Sequence, residues 1–355
     1  MNEMMLREID DQPRAIRTGL VDLRRQASEL PLLDADEIVL TGSGDSLFAA
    51  MAVELLFARE AKRPVWALPS LSVSRFPRAS SSRLVVAISV SGEVVRTLEA
   101  TRAEADRGST VVAIVANRDS SLCRLAHGSL VMPAPMSRQT PHTRDYTLTL
   151  LALGVLCERL AGRRLRELDR WPSLVQETLP AAMKWAMTLL PAPAERTVWF
   201  VGAGPDRGTA AFGALKFWET GGSRSSWDDL EEFAHGPSLI AAAGDDVVLL
   251  APGRAGTRAF EMLAGLKKLG LRPILVGPEV AGRAAPSIDT PYFALPVLGD
   301  WTWSPFVTCL PVEAMTYVYA MHRHIDVMLP LGGKPQGPVY NEVHDEWMRQ
   351  SVLEA

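Results

Sequence analysis

The chain alternates short, wholly apolar runs with longer segments in which apolar residues recur every three or four positions. Residues 84–88, LVVAI, are one such run; EIVLT (37–41), VVAIVAN (111–117), VWFVGAG (198–204), DVVLLAPG (246–253) and RPILVG (272–277) are others. Short Val/Ile/Leu-rich runs bounded by Gly and Ser read as strands buried on both faces. Residues 47–61, 93–107 and 148–156 carry broad apolar faces at helical spacing and predict helices between them. Strands alternating with helices predict an α/β fold built on parallel sheet. Residues 1–30 predict a helical lead-in broken near Pro13, with Ile16, Leu20, Leu23 and Leu30 at loosely helical spacing. The segment RELDRWPSLVQETLPAAMKWAMTLL, from residue 166, reads as a helical connection.

The pattern occurs twice. VWFVGAG repeats EIVLTGSG, DVVLLAPG repeats RLVVAISVSG, and RPILVG repeats TVVAIVAN, at an offset of about 160 residues. A matched strand order at a fixed offset predicts a duplicated βαβ domain.

Two turns of the first half can do chemistry. Residues 84–97, LVVAISVSGEVVRT, run a strand into a serine-rich turn and then a helix. Ser89 and Ser91 supply hydroxyls, Gly92 lets the backbone approach closely, and the helix start offers a positive dipole end, so an anion fits there. Read alone, the stretch is equally consistent with a serine-lined junction that holds nothing. The GSGDS turn, with Ser43, Gly44 and Ser46, follows the first strand, and in a parallel sheet both turns converge on the crevice outside the carboxyl ends of the strands. The second-half counterpart of SVSGE is APGRA, which has lost both serines.

Composition narrows the class. The 355 residues are 47% hydrophobic and 22% charged, enough for two cores, and 37 basic against 41 acidic residues argue against nucleic acid or membrane as a partner. Cys123, Cys157 and Cys309 lie far apart and read as buried thiols. The charged opening MNEMMLREIDD has no apolar core of a signal peptide, and no run approaches membrane-spanning length, so a cytoplasmic location is expected. The six histidines are scattered, with no HxxE or CxxC cluster; His322 and His324 point to different faces of a helix, so no metal and no cofactor is expected.

The second half gathers Lys216, Glu219, Glu232 and His235 into one short span around a helix end and a loop. A carboxylate and a histidine together are what proton shuttling needs, although each alone reads as a solvated helix or loop residue.

The opening EIDDQPRAIRTGL, the GSGDS turn, the SVSGE loop, the ALKFWE helix and HGP, in this order, resemble the double-SIS-domain sugar isomerase family. That family includes the isomerase half of glucosamine-6-phosphate synthase, fructosamine-phosphate deglycases and ketose/aldose isomerases. The resemblance implies two tandem SIS domains, each a parallel sheet flanked by helices in a flavodoxin-like three-layer sandwich. The domains would cover 31–165 and 196–330, with a lead-in at 1–30, a helical connection at 166–195 and a tail at 331–355. It also implies that Ser43, Gly44, Ser46, Ser89, Ser91 and Gly92 hold a sugar phosphate, with Thr143, Arg144 and Glu232 nearby. Glu219 would move a proton between C1 and C2, His235 would assist ring opening across a subunit boundary, and Lys334 would be the tail lysine. A homodimer sharing its sites is therefore expected, while glutamine-dependent amidotransfer is not, for want of a glutaminase domain.

Three departures bear on the substrate. Val94 replaces the hydroxyl residue closing the phosphate loop, Val90 stands inside SxS, and Asp45 puts a carboxylate beside the anion. Losing one neutral hydroxyl contact costs about 1 kcal/mol, whereas a carboxylate opposes a dianion. The expected function is metal-free ketose/aldose isomerisation of a hexose or amino-hexose with an anionic head group, which the resemblance makes a 6-phosphate. Deglycation or deamination, a sulfonated or neutral sugar, and a non-catalytic sensor are the alternatives. The aromatic segment DWTWSPF and Trp218 and Trp227 read as packing, RRLREL as a solvated face, and residues 339–355 as a docking tail that could cross a dimer interface.

Overall fold

Each apolar run becomes a strand because β-branched side chains bury well on both faces of a pleated sheet. The computed structural model of the protein describes residues 2–31, 35–77, 82–134, 141–220, 224–278, 290–329 and 333–351. The chain begins with α1 (Glu3–Glu29), β1 (Glu37–Gly42), α2 (Asp45–Ala61), β2 (Val65–Pro69), α3 (Ser70–Arg75) and β3 (Arg83–Ile88). It continues with α4 (Val95–Asp106), β4 (Thr110–Val115), α5 (Ser121–Leu125), β5 (Gly128–Val131), α6 (Arg144–Ala161) and α7 (Arg166–Ala186). The second half comprises β6 (Thr197–Gly202), α8 (Asp206–Glu219), β7 (Arg224–Asp229), α9 (Leu230–His235), β8 (Asp246–Leu250) and α10 (Gly256–Lys268). After these come β9 (Arg272–Gly277), β10 (Tyr292–Ala294), α11 (Pro305–His322) and α12 (Gly337–Arg349).

The chain divides into two units. The N-terminal unit comprises residues 13–138, 144–172 and 338–355, and the C-terminal unit residues 1–12, 139–143 and 173–337. The domain boundary expected at 330/331 falls outside the described residues.

Each unit holds a five-stranded, wholly parallel sheet. The order is β2-β1-β3-β4-β5 in one and β7-β6-β8-β9-β10 in the other, so corresponding strands occupy corresponding places. This is the doubly wound arrangement in which strand order reverses between β1 and β3, and again between β6 and β8. Strand β3 is buried along its whole length, and Val39, Val85, Ala87, Val111 and Ala113 form one face of its sheet with Leu98 and Ala100 of α4. In the C-terminal unit Val201, Val247, Leu249 and Leu275 pack with Phe233 and Leu266 in the same manner.

Helix α1 runs unbroken through Pro13, where a break was expected. Its residues Met5, Ile9, Ile16, Leu20 and Leu23 are all buried at helical spacing. A proline in a helix interior costs about 3 kcal/mol, and burying several such side chains at about 1.5–3 kcal/mol each exceeds that cost. Strand β7, RSSWDD, lies where a loop was read; it is a half-buried edge strand held through all six residues by β6. The tail returns to the N-terminal unit. Helix α12 ends at Arg349, and beyond it Arg96 donates to the Gln350 carbonyl while Ser351 Oγ donates to Glu99 Oε1 at 2.9 Å, both on α4 of the same chain.

A buried charge cluster ties the start of β3 to its neighbours. Arg83 Nη2 lies 2.6 Å from Glu37 and Nη1 2.9 Å from Glu104, whose side chain is 1% exposed. Arg83→Met removes the cation that Glu37 and Glu104 share; Glu104 keeps Arg107 and Ser109, at 2.9 and 2.8 Å, so the loss of this one charged partner should cost about 1–3 kcal/mol. Urea denaturation should show a loss of that size, with the sheet spectrum of the folded state unchanged.

Candidate active site

The two serine turns meet because β1 and β3 are adjacent and parallel, Thr41 standing opposite Ala87. At the end of β1 the chain turns through Gly44, whose φ of +55° favours glycine, straight into α2. The corresponding Gly204 has φ +56° and leads into α8. Ser46 is buried in the first turn of α2, Ser43 and Gly44 are exposed, and Asp45 is partly exposed. As the first residue of α2, Asp45 sits at the positive end of the helix dipole, where a carboxylate is stabilised.

The second turn is held by its own backbone. Gly92 N–H donates to Ser89 Oγ at 3.1 Å and Glu93 N–H donates to Ser91 Oγ at 3.2 Å. With their oxygens accepting, both hydroxyls keep O–H donors for an oxyanion. Ser89 is buried and Ser91 partly exposed. Val94 caps α4 without a side-chain hydrogen bond, and Gly44 likewise caps α2 without one. Helix α5, by contrast, is capped by Ser120 and α9 by Asp229. The two helix starts facing the crevice thus leave first-turn N–H groups to be satisfied by something else.

Several residues not singled out in the sequence brace this loop. Glu93 Oε1 accepts from Ser121 N–H at 2.8 Å, fastening the loop to α5. Buried Thr97, in the first turn of α4, meets Ser70 hydroxyl to hydroxyl at 3.1 Å, and Thr41 donates to the Leu68 carbonyl at 2.8 Å. Such isolated polar residues have no period, and only the contact across the sheet reveals them.

In the C-terminal unit Glu219 is the last residue of α8, and Lys216, one turn earlier, lies 2.5 Å from its Oε2. The Lys216 side chain is fully buried, with its ammonium 5.3 Å from the centre of the Phe212 ring. The pair therefore fixes a carboxylate, 18% exposed, at a helix end. His235 ends α9 with its side chain 68% exposed and Nε2 3.3 Å from Glu231. Arg258, 2.7 Å from the same carboxylate, holds Glu231 below the usual carboxylate range, mainly by hydrogen bonding. Glu232 is exposed on α9. Thr143 is buried and groups with the C-terminal unit, whereas Arg144 opens α6 in the N-terminal unit. Lys334 is exposed just before α12, and the tail residues that reach α4 are Gln350 and Ser351.

Among the described residues no group of three His, Cys, Asp or Glu side chains is placed to hold a metal ion, and no helix is long and apolar enough to cross a membrane.

Gly92 is the tightest point of the serine loop. Its φ is +71°, and a Cβ there would lie 2.3 Å from Ser120 Oγ. Gly92→Ala should cost about 1–3 kcal/mol of stability, through the forced left-handed conformation and displacement of the α5 cap. Adding Ser120→Gly removes the clash; denaturation midpoints should place the double variant above Gly92→Ala alone.

Known proteins resemble the chain in sequence and in fold. Residues 31–159 match the SIS domain family. Over 332 residues the chain is 27% identical to the glutamine–fructose-6-phosphate aminotransferase (isomerizing) of Pyrococcus horikoshii, an alignment covering 89% of this chain and 54% of that one. The chain thus spans about half the length of the curated relatives it matches. Among solved structures, the C-terminal domain of glucosamine-fructose-6-phosphate aminotransferase from Francisella tularensis superposes with a TM-score of 0.78 at 20% identity, covering 91% of this chain and 97% of that one. Glucosamine-6-phosphate deaminase from Thermotoga maritima gives 0.77 at 21% identity, covering 91% and 96%. The chain thus carries an SIS domain match at residues 31–159, is similar over most of its length to part of the isomerizing glutamine–fructose-6-phosphate aminotransferases, and shares its fold with the C-terminal domain of such an enzyme.

Proposed function

We propose that the protein is a metal-free ketose/aldose isomerase of a hexose or amino-hexose bearing a 6-phosphate. The observation that carries this reading is the anion loop: two adjacent helix starts without side-chain caps, lined by Ser46, Ser89 and Ser91. Oriented N–H and O–H donors of this kind fit the oxygens of a phosphate group. Val94 and Asp45 reduce the donor set without removing it.

The chemistry is assigned to Glu219. Its carboxylate takes the proton from the carbon next to the carbonyl and returns it to the neighbouring carbon, passing through an enediol(ate). Lys216 is a positioning residue that holds the carboxylate at the end of α8. His235 assists ring opening. Its exposure, together with Leu239 at 85% and Ile240 at 77%, fits a surface covered by a second copy of the chain.

Glu219→Gln should lower turnover by about 10²–10⁴-fold while fructose 6-phosphate still binds. Deuterium wash-in from heavy water at C1 and C2 measures the step directly. Undiminished exchange in the variant would remove Glu219 from the mechanism. Release of ammonia from glucosamine 6-phosphate, in place of exchange and isomerisation, would make the protein a deaminase.

Sedimentation at assay concentration should show a dimer, and Leu239→Asp should dissociate it with loss of activity. A fully active monomer would refute the shared-site arrangement.

A further inference from the structure

The C-terminal unit has its own crevice at the place where the N-terminal unit has the anion loops, and it is differently equipped. Between the β6–α8 turn and the β8–α10 turn lies a cavity of about 210 Å³, lined by Gly204, Asp206, Pro252, Arg254, Trp301 and Ser304 among others. A water occupies about 30 Å³ of liquid, so the space suits a compact ligand of several polar atoms.

Each wall offers a distinct chemistry. Arg254 is exposed, makes no ion pair among the described residues, and sits with its guanidinium 5.8 Å from the centre of the Trp301 ring. A planar guanidinium held over an indole offers a fork suited to two-point binding of an oxyanion. The half-buried Trp301 presents an apolar, π-rich surface at the same wall.

At the base Asp206 is fully buried and accepts from Ser304 Oγ on Oδ2, while its buried Oδ1 closes no hydrogen bond of ordinary geometry. The nearby hydroxyls of Thr308 and Thr209, like that of Ser304, favour its ionised form. Burial nevertheless pushes the carboxyl up to about 7, so near neutral pH it can donate as well as accept. Helices α8 and α10 start without a side-chain cap, but the N–H groups of Asp206, Arg207, Gly208 and Gly256 bond to carbonyls of the preceding turn, so the open acceptor at this wall is Asp206 Oδ1. Buried polar atoms are ordinarily satisfied, and the unfilled capacity here lies at the lining of a cavity.

We propose that this cavity is a second ligand site, taking a phosphorylated monosaccharide, with Arg254 on the phosphate, Trp301 against the sugar ring, and Asp206 with Ser304 on hydroxyl groups. The site is separate from the residues assigned to isomerisation, and its argument does not depend on that activity. Occupancy there makes the second half of the duplication a binding module beside the first, suited to sensing a sugar phosphate.

The test uses the full chain labelled with fluorotryptophan, the Trp301 fluorine resonance being assigned by Trp301→Phe among the nine tryptophans. Fructose 6-phosphate is titrated into the wild type and into Ser89→Ala/Ser91→Ala, which disables the first anion loop. The Trp301 resonance should move saturably in both proteins. Arg254→Ala should weaken that response by about tenfold or more, as loss of a charged hydrogen-bonding partner requires, and Arg254→Lys by less. Arg254 is exposed, so these variants should fold normally, and an unchanged melting temperature verifies it. Inorganic phosphate alone should compete for the same response. A Trp301 resonance that never moves, or one that moves equally in Arg254→Ala, overturns the proposal. Neither result bears on deuterium exchange by Glu219, so the two readings fail independently.

Discussion

Everything in this molecule follows from the need to bury both faces of two parallel sheets. A parallel strand must be reached by a crossover, and a crossover helix covers the sheet face that would otherwise meet water. All strands of a sheet then end on one edge, and the helices that follow them start there. Backbone N–H groups without intrahelical partners collect at that edge. Where the strand order reverses, the helices leave toward opposite faces and open a crevice between them. The serine turns of the N-terminal unit and the Arg254–Trp301 wall of the C-terminal unit are two fillings of this same opening.

Duplication preserved the backbone and released the side chains. Gly44 and Gly204 turn with nearly identical φ angles, 160 positions apart, because a strand that must become a helix at once has few conformations available. Side chains beyond the turn carry no such constraint. Ser46 is answered by Asp206, and Ser89 by Ala251, which stands at the same place after the paired strands. One half keeps hydroxyls at this edge, and the other combines a carboxyl with a cation and an indole.

What could be read from the chain was what burial dictates. Runs such as LVVAI and DVVLL have no solvent-facing side to dilute them, so central strands and their repeat stand out. Edge strands escape this logic. RSSWDD pairs on one side only and needs few apolar residues, while the short strands β2, β5 and β10 lack a period to detect. Helix α1 concealed itself differently, since proline speaks against a helix locally and only the tertiary burial of Met5, Ile9 and Ile16 overrides it. At the site, hydroxyls next to glycine in a strand-to-helix turn are visible in sequence. The braces from Glu93, Thr97 and Ser70 come from segments that meet only in three dimensions.

The chain ends are exchanged between the units. Asn2 donates from its amide to the Ile325 carbonyl and accepts from Val327 N–H, so the first residues complete the C-terminal unit, while Gln350 and Ser351 clip onto α4 of the N-terminal unit. A ribosome emitting this chain therefore releases the first sheet long before the piece that seals α4 exists, and the segment 1–12 waits for partners beyond residue 300. Neither unit can be separated by a single cut between the sheets, because the chain passes between them more than once.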